Sequence, residues 1–208
     1  MARYRESLCR LCRRDGEKLF LKGQRCLTDK CSIERRKYGP GQHGQRRAKL
    51  SDFAIQLKEK QKVRRIYGVM EGQFRRYFAQ ADRKKGITGE MLLQFLELRL
   101  DNIVHRMGFA ANRNQARQLV GHGHFLVNGV KVNIPSYRLK TGDKVSVVEA
   151  SKAIGCIQES VSRTTHAGVP RWLEIDTAAM AGKVLHVPSR DDIPIEVKEQ
   201  LIVEFYSR

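Results

Sequence analysis

The 208-residue sequence lacks any long apolar run and any N-terminal apolar segment of the signal-peptide kind. No stretch approaches the ~18 consecutive apolar residues that cross a membrane. The sequence also lacks a basic amphipathic helix with a bulky apolar face and a lipidation signal, which disfavours an anionic membrane as partner. We therefore expect a soluble protein that stays in the cytoplasm and has no membrane partner.

Complete catalytic and nucleotide-binding motifs are also missing. GPGQHG resembles a phosphate-binding loop, but Gln45 and Arg46 stand where Lys and Ser or Thr are needed. His43-Gly44-Gln45 lacks the glutamate of a zinc deaminase. GHGHFL lacks the third glycine of a dinucleotide loop. The sequence therefore predicts neither an enzyme nor a small-molecule substrate.

Acidic residues are scarce in the first three quarters of the chain. Residues 1–150 contain 33 Lys and Arg against 14 Asp and Glu, a net charge of +19. Residues 151–208 contain 7 basic against 8 acidic residues, a net charge of −1. Solubility alone does not require this gradient, so it indicates a polyanionic partner for the first 150 residues.

Cysteine is rare except near the N-terminus. Cys9 and Cys12 form a CxxC pair, and Cys26 and Cys31 form a second pair, with thirteen residues between Cys12 and Cys26. Two such pairs in a reducing compartment favour a structural four-sulfur metal site, with Zn²⁺ as the first choice and an iron–sulfur cluster as the alternative. Disulfides or free thiols remain open. We expect Cys156 to be a small buried apolar residue.

The middle of the chain has helical periodicity. Ser51 is a typical N-cap for a helix that ends at Gly68, with Phe53 on its apolar face. Two further helices are predicted over residues 71–85 and 88–107. We interpret their apolar stripes as core.

Residues 99–147 combine a capped helix with a hairpin signal. Asn112 can cap a short helix, and Asn128-Gly129 fits a type I′ turn. His122 and His124 flank the turn into the first strand. Phosphate recognition needs long positive side chains on a fixed platform. Five residues could supply them on one surface: Arg113, Arg117, Lys131, Arg138 and Lys140. A solvated basic face is the alternative.

The expected fold class is α+β. It contains an N-terminal metal-binding knob, a helical domain and a small helix-plus-antiparallel-sheet RNA-binding module. The predicted boundaries are 1–45 for the knob and its Gly/Pro-rich loop, 46–98 for the helical domain, 99–150 for the module and 151–208 for a C-terminal segment that packs on the body.

Several of these segments resemble one protein family. Residues 99–147 resemble the RNA-binding module named after small-subunit ribosomal protein four. CRLCRR, PGQHGQRRAKLSDFAIQLKEKQKVRRIYG and EQLIVEFYSR resemble other parts of that family, so the resemblance covers nearly the whole chain, in a four-cysteine form. Asn112 stands where Ser or Thr is more usual in this family, and an Asn at this position can still cap the helix that follows.

The resemblance implies a structural constituent of the small ribosomal subunit. Members bind small-subunit rRNA early in assembly at a multi-helix junction, line the mRNA entry path, influence accuracy, and in some cases repress their own mRNA. RNA helices are recognised by shape, phosphates and 2′-hydroxyls, which suits a broad cationic surface. We assign rRNA contacts to Arg64, Arg65, Arg113, Arg117, His122, His124, Lys131, Arg138 and Lys140.

The resemblance also implies two further partners. Arg46, Arg47 and Lys49 correspond to the basic residues at the mRNA entry path, although contact with rRNA is the alternative. The acidic residues of the near-neutral tail suit a basic protein neighbour, by resemblance small-subunit ribosomal protein five. The candidate interface residues are Asp191, Asp192 and Glu196. We expect the protein in the cytoplasmic ribosome, with an organellar ribosome not excluded.

Two other functions remain compatible with such a module. One is an RNA-modifying enzyme, which would need a catalytic domain beside it. Residues 1–98 are too basic and helical for that domain, and residues 151–208 are too few. The other is a stress-type RNA chaperone that binds transiently.

Overall fold

The computed structural model describes residues 4–46, 49–164 and 169–207. The chain forms two compact units. The helical unit contains the described residues up to Met91 together with those from Ile195 onward, and the sheet unit contains Leu92–Pro194.

The secondary-structure elements alternate in type along the chain. The helices are α1 (Leu8–Asp15), α2 (Ser32–Arg35), α3 (Asp52–Ile66), α4 (Glu71–Asp82), α5 (Thr88–Glu97), α6 (Leu100–Arg106), α7 (Arg113–Gly121), α8 (Gly155–Thr164) and α9 (Glu199–Tyr206). The strands are β1 (Phe125–Val127), β2 (Val130–Lys131), β3 (Lys144–Val147), β4 (Leu173–Asp176) and β5 (Ala181–Val184). Single 3₁₀ turns lie at Gly23–Cys26 and Glu149–Ser151.

Helix α3 begins where the sequence predicts. The Ser51 hydroxyl accepts a hydrogen bond from the Ala54 N–H, which satisfies one of the free donors of the first turn. The expected apolar face is wrong at Phe53, which is 51% exposed. Instead Lys60 and Val63 lie on the buried face. A lysine there gives no apolar signal in the sequence.

Helix α9 packs on α3 and α4. The Phe205 ring lies 5.5 Å from the Phe53 ring, and the Tyr206 ring lies 4.5 Å from the Phe78 ring. The Tyr206 hydroxyl donates to Glu71 at 2.9 Å. The last described helix of the chain therefore completes the same unit that holds the first one.

The predicted long helix over residues 88–107 is two helices. Leu98 and Arg99 separate α5 from α6, and Arg99 pairs with Arg138 in an isolated antiparallel bridge. The Leu139 N–H donates to Leu98 O, and the Leu100 N–H donates to Tyr137 O. Backbone pairing with a segment forty residues away ends α5, a contact that local periodicity cannot reveal.

The sheet unit holds one antiparallel sheet of order β2-β1-β3-β5-β4. The predicted hairpin is confirmed: Val127 pairs with Val130 across the turn, and Asn128 and Gly129 have φ of 50° and 82°. Both central residues of a type I′ turn need positive φ, which Asn and Gly tolerate. Strand β5 pairs with β3, so the sheet crosses the predicted boundary at residue 150.

The core of the sheet unit lies between this sheet and its helices. Phe109 and Phe125 are fully buried, with ring centroids 6.0 Å apart. Trp172 is 1% exposed in the same cluster, which Cys156 contacts while only partly buried. The mixed fold expected from the sequence, a helical domain followed by a small antiparallel sheet, is confirmed.

None of the helices in the described part of the chain is both long enough and apolar enough to span a membrane.

Candidate nucleic-acid interface

The two units differ in the charge they expose. Among the described residues of the helical unit, 17 Lys and Arg are exposed against 8 Asp and Glu. The sheet unit exposes 6 basic against 5 acidic residues. A polyanion is therefore attracted mainly by the helical unit.

The four N-terminal cysteines line one small cavity. Cys9, Cys12, Cys26 and Cys31 share it with apolar neighbours such as Leu21. Within residues 4–46, 49–164 and 169–207, no group of three or more His, Cys, Asp or Glu side chains is arranged to hold a metal ion as the side chains stand. The four sulfurs thus have the chemistry of a thiolate site, but they are not arranged to coordinate one ion.

Backbone donors point at two of these sulfurs. The Lys22 N–H donates to Cys26 Sγ at 3.4 Å, and the Leu19 N–H donates to the Cys12 sulfur. Burial raises the pKa of the Cys12 thiol, and the other three cysteines raise it further. The cysteines therefore hold the segment between them in place through hydrogen bonds as well as packing.

The loop after the knob is held by an arginine. Arg13 Nε donates to Tyr38 O at 3.0 Å, and its Nη2 donates to Gly39 O at 3.1 Å. Gly44 packs so closely that an added Cβ would lie 2.0 Å from Gly39 O. Of the predicted mRNA-entry residues, Arg46 and Lys49 are exposed after this loop, and Arg47 lies outside the described residues.

Two of the predicted rRNA contacts on α3 are used within the protein. Arg64 Nη1 donates to Glu71 at 3.3 Å, and its side chain is 25% exposed. Arg65 forms an ion pair with the buried Asp15, and its side chain is 15% exposed. Their role as rRNA contacts stays a prediction.

The sequence predicts that Arg113 and Arg117 are available to one cationic surface, and this is wrong for Arg117. Asn112 caps α7 as predicted, accepting from the Gln115 N–H at 2.9 Å. Arg117 is only 8% exposed, and its Nη1 donates to Asp101 Oδ2 at 3.2 Å. Arg113 is partly buried, and its Nε donates to Asn102 Oδ1 at 2.8 Å. Both arginines fasten α7 to α6.

These hydrogen bonds belong to a buried charge network that the sequence did not predict. Arg99, which is 1% exposed, donates to both carboxylate oxygens of Asp101 at 3.0 and 2.8 Å. Glu97, which is fully buried, accepts from Arg106 at 2.6 Å and from Asn102 at 2.6 Å. The available signal was the RLDN segment, in which charged residues interrupt an apolar helical pattern.

A basic cluster lies at the turn between α7 and β1. The His122 and His124 rings are 6.0 Å apart, and His124 Nδ1 lies 2.9 Å from Ser151 Oγ. Lys131 is exposed, and its side chain crosses Gly123, where an added Cβ would lie 2.4 Å from Lys131 Cε. Burial lowers the pKa of His124, and His122 and Lys131 lower it further. The structure therefore brings together three of the predicted contacts.

The other two predicted contacts in this unit differ from each other. The Arg138 guanidinium lies 4.1 Å from the Phe95 ring centroid, a cation–π contact within the unit. Lys140 is exposed.

The acidic residues of the C-terminal region are not equivalent. Asp191 and Glu196 are exposed. Asp192 accepts from the Ser189 hydroxyl at 2.7 Å and from the Ser189 N–H at 2.9 Å, and these bonds lower the pKa of Asp192. Asp192 thus closes a turn, which leaves Asp191 and Glu196 as the more accessible carboxylates.

Two protein families match consecutive parts of the chain. Residues 3–97 match the family described as "Ribosomal protein S4/S9 N-terminal domain", and residues 98–145 match the "S4 domain". The class is therefore a ribosomal-type protein in which a basic helical region precedes an S4 domain.

Full-length relatives identify the family within that class. The chain is 58% identical to a protein of Thermodesulfovibrio yellowstonii, 59% to one of Geotalea daltonii and 58% to one of Acetivibrio thermocellus. Each alignment covers 208 residues and all of both chains, and each relative is named "Small ribosomal subunit protein uS4". The chain belongs to the uS4 family of ribosomal proteins, which confirms the family expected from the sequence.

Proposed function

We propose that this protein is a structural constituent of the small ribosomal subunit that binds its rRNA. The observation that carries the proposal is end-to-end similarity, at 58% identity, to proteins named as small-subunit constituents. The exposed positive charge of the helical unit supplies the physical basis, because clustered Lys and Arg neutralise phosphates. The predicted non-catalytic role agrees with a family of ribosomal proteins.

Sedimentation of cell extract tests this proposal. A constituent travels with small subunits at about one copy each and remains with them in high salt. Release in high salt would favour the transient RNA chaperone. Base modification of rRNA by the purified protein would favour the RNA-modifying enzyme.

Contacts on the sheet unit are best assigned to the cluster of His122, His124 and Lys131, together with Lys140. Lys131 and Lys140 are exposed, whereas Arg117 is committed to Asp101. Replacing Lys131 and Lys140 by Ala should weaken rRNA binding and reduce its dependence on salt by about one slope unit per lysine. Unchanged affinity and slope would move the interface away from this face.

We also propose that the residues after the Gly/Pro-rich loop contact mRNA where it enters the ribosome. Arg46 and Lys49 are exposed beside a loop that Arg13 fixes. Changing Arg46, Arg47 and Lys49 together to Ala should slow translation through stable hairpins more than through unstructured messages. Equal slowing on both would favour rRNA contact instead. An influence on accuracy and repression of the protein's own mRNA belong to the same proposal.

The four cysteines are proposed to hold one Zn²⁺, or alternatively an iron–sulfur cluster. Support comes from their shared cavity and from the two N–H donors aimed at sulfur, which is the way thiolate ligands are stabilised. The metal would hold together a short cationic segment. Elemental analysis of native protein should find one zinc or a cluster, and Cys26→Ser should remove it. Protein with neither metal would refute this.

The exposed carboxylates Asp191 and Glu196 are each proposed to contact a basic protein, small-subunit ribosomal protein five. Charge complementarity would give orientation more than affinity. Reversing Asp191 and Glu196 to Lys should loosen that contact and leave rRNA binding intact. Asp192 is unsuitable for this test, because its carboxylate closes a turn. Crosslinks from this region to rRNA alone would contradict the assignment.

A further inference from the structure

Phe20 combines backbone strain with exposure. Its φ is +50°, a region in which bulky side chains are genuine outliers, and its side chain is 51% exposed. Two other non-glycine residues in the described chain have positive φ. Asn128 lies in the hairpin turn that favours it, and Met180 packs against the core. Phe20 alone of the three is apolar, strained and exposed.

The surrounding residues impose this conformation. Leu19 and Leu21 are 3% and 7% exposed, so both neighbours of Phe20 are buried. The Leu19 N–H donates to the Cys12 sulfur, and the Lys22 N–H donates to Cys26 Sγ. The chain is thus fixed on the cysteine cavity on both sides of Phe20, and the ring is turned outward.

Apolar burial does not explain why a phenylalanine stands here. Glycine would adopt the same φ without strain, and a polar side chain would suit the solvent better. Strain that the surrounding structure over-determines is found at binding sites. The knob also exposes Arg25 and Lys30, which are close to Phe20 in sequence. A partner that contacts the ring therefore has to be compatible with positive charge.

We propose that Phe20 is a stacking platform for an unpaired base of the RNA that the helical unit binds. The cysteine knob positions the ring, and the neighbouring cations hold the phosphates of the same strand. An aromatic face accepts any base, so the contact is tolerant of sequence. The inference rests on the proposed rRNA binding and adds to it a contact with a base rather than with the backbone.

Three substitutions in the full-length protein test the ring, with small-subunit rRNA as the probe. Phe20→Tyr keeps an aromatic face and should bind as the wild type does. Phe20→Leu keeps apolar bulk without the face, and Phe20→Gly removes both. Loss of one stacked base weakens binding by roughly 5- to 150-fold, so Phe20→Gly should fall in this range and Phe20→Leu should also be weaker than wild type.

Hydrogen exchange separates binding from folding. Phe20→Gly relieves the strain, so amides of the knob should keep or gain protection while RNA affinity falls. A purely structural Phe20 would lose protection and affinity together. Either that result or wild-type binding by Phe20→Leu would overturn the proposal.

Photocrosslinking gives a direct check. p-Benzoylphenylalanine at position 20 should crosslink to an unpaired nucleotide when the protein is assembled with small-subunit rRNA. Crosslinks to protein only, or to paired nucleotides only, would overturn the inference. Failure of the wild-type chain to bind rRNA at all would instead refute the proposed function.

Discussion

The helical unit carries most of its positive charge outside, whereas the sheet unit uses much of its positive charge inside. Arg36 and Arg76 illustrate the first case, because both are exposed. Arg99 and Arg117 illustrate the second, because both bind the buried Asp101. A positive residue in a basic RNA-binding protein is therefore not by itself an RNA contact. Whether it is available to RNA depends on the carboxylates that lie next to it.

The largest expected effect comes from reversing an internal charge. Arg117→Glu places a carboxylate beside Asp101 in a site with little water. We expect a loss of about 3–5 kcal/mol in the stability of the sheet unit, because breaking a buried ion pair leaves an uncompensated charge. Denaturation followed by the fluorescence of the single, buried Trp172 measures this.

The matched control is Arg76→Glu on α4, where the side chain is exposed. Surface substitutions usually change stability by less than about 0.5 kcal/mol. Equal stability of the two variants would remove the distinction between internal and external arginines.

The next effect is a pH dependence of the sheet unit. Burial, together with the positive charge of Arg113, lowers the pKa of His105 from 6.5 to about 4. The unfolded chain therefore takes up a proton below 6.5 that the folded protein refuses until about 4. Stability is fully present above 6.5 and falls as pH drops through this window, by about 2–3 kcal/mol near pH 4.5.

His105→Gln cannot gain this charge, so the loss of stability between about pH 7 and 4.5 should be smaller by that amount. Denaturation curves of both proteins at the two pH values, again with Trp172 as reporter, measure the difference. Identical pH dependence of wild type and variant would show that other groups are responsible.

A smaller effect is expected when charge is removed from the outside of the helical unit. Arg75 and Arg76 are both exposed on α4. Changing both to Ala should leave stability unchanged and make the plot of log affinity for rRNA against log salt shallower by up to about two units. Filter binding at several salt concentrations measures the slope. Arg163→Ala in the sheet unit, which removes a cation paired with Glu159, should leave the slope unchanged.

The smallest effect concerns one helix cap in each unit. Ser51→Ala and Asn112→Ala each remove the side-chain acceptor of a first helical turn. Each should cost about 1 kcal/mol. Hydrogen exchange should show the loss in α3 for the first variant and in α7 for the second. No change in either helix would mean that water replaces these caps fully.

Local features of the fold could be predicted from the sequence. Ser51 and Asn112 cap the helices that they precede, and Asn128-Gly129 forms the hairpin turn. Each of these depends on the preferences of a few adjacent residues. The capping oxygen and the positive φ are properties of the residue types themselves, so their positions suffice.

Features that depend on distant residues could not be predicted in this way. The break between α5 and α6 requires the backbone of Arg138, and the burial of Arg117 requires Asp101 on another helix. Helical periodicity places Arg117 on a polar face, but it does not say what covers that face. The same limit applies to Phe20. Its positive φ depends on the contacts that Leu19 and Lys22 make with the sulfurs of Cys12 and Cys26.

The position of α9 has a consequence for synthesis on the ribosome. The chain emerges from its N-terminus, and domains generally fold as units during this process. The sheet unit, Leu92–Pro194, is therefore complete while α9 is still to be made. Until Phe205 and Tyr206 emerge, Phe53 and Phe78 have no ring partner from α9. The unit that begins first along the chain is the one that finishes last.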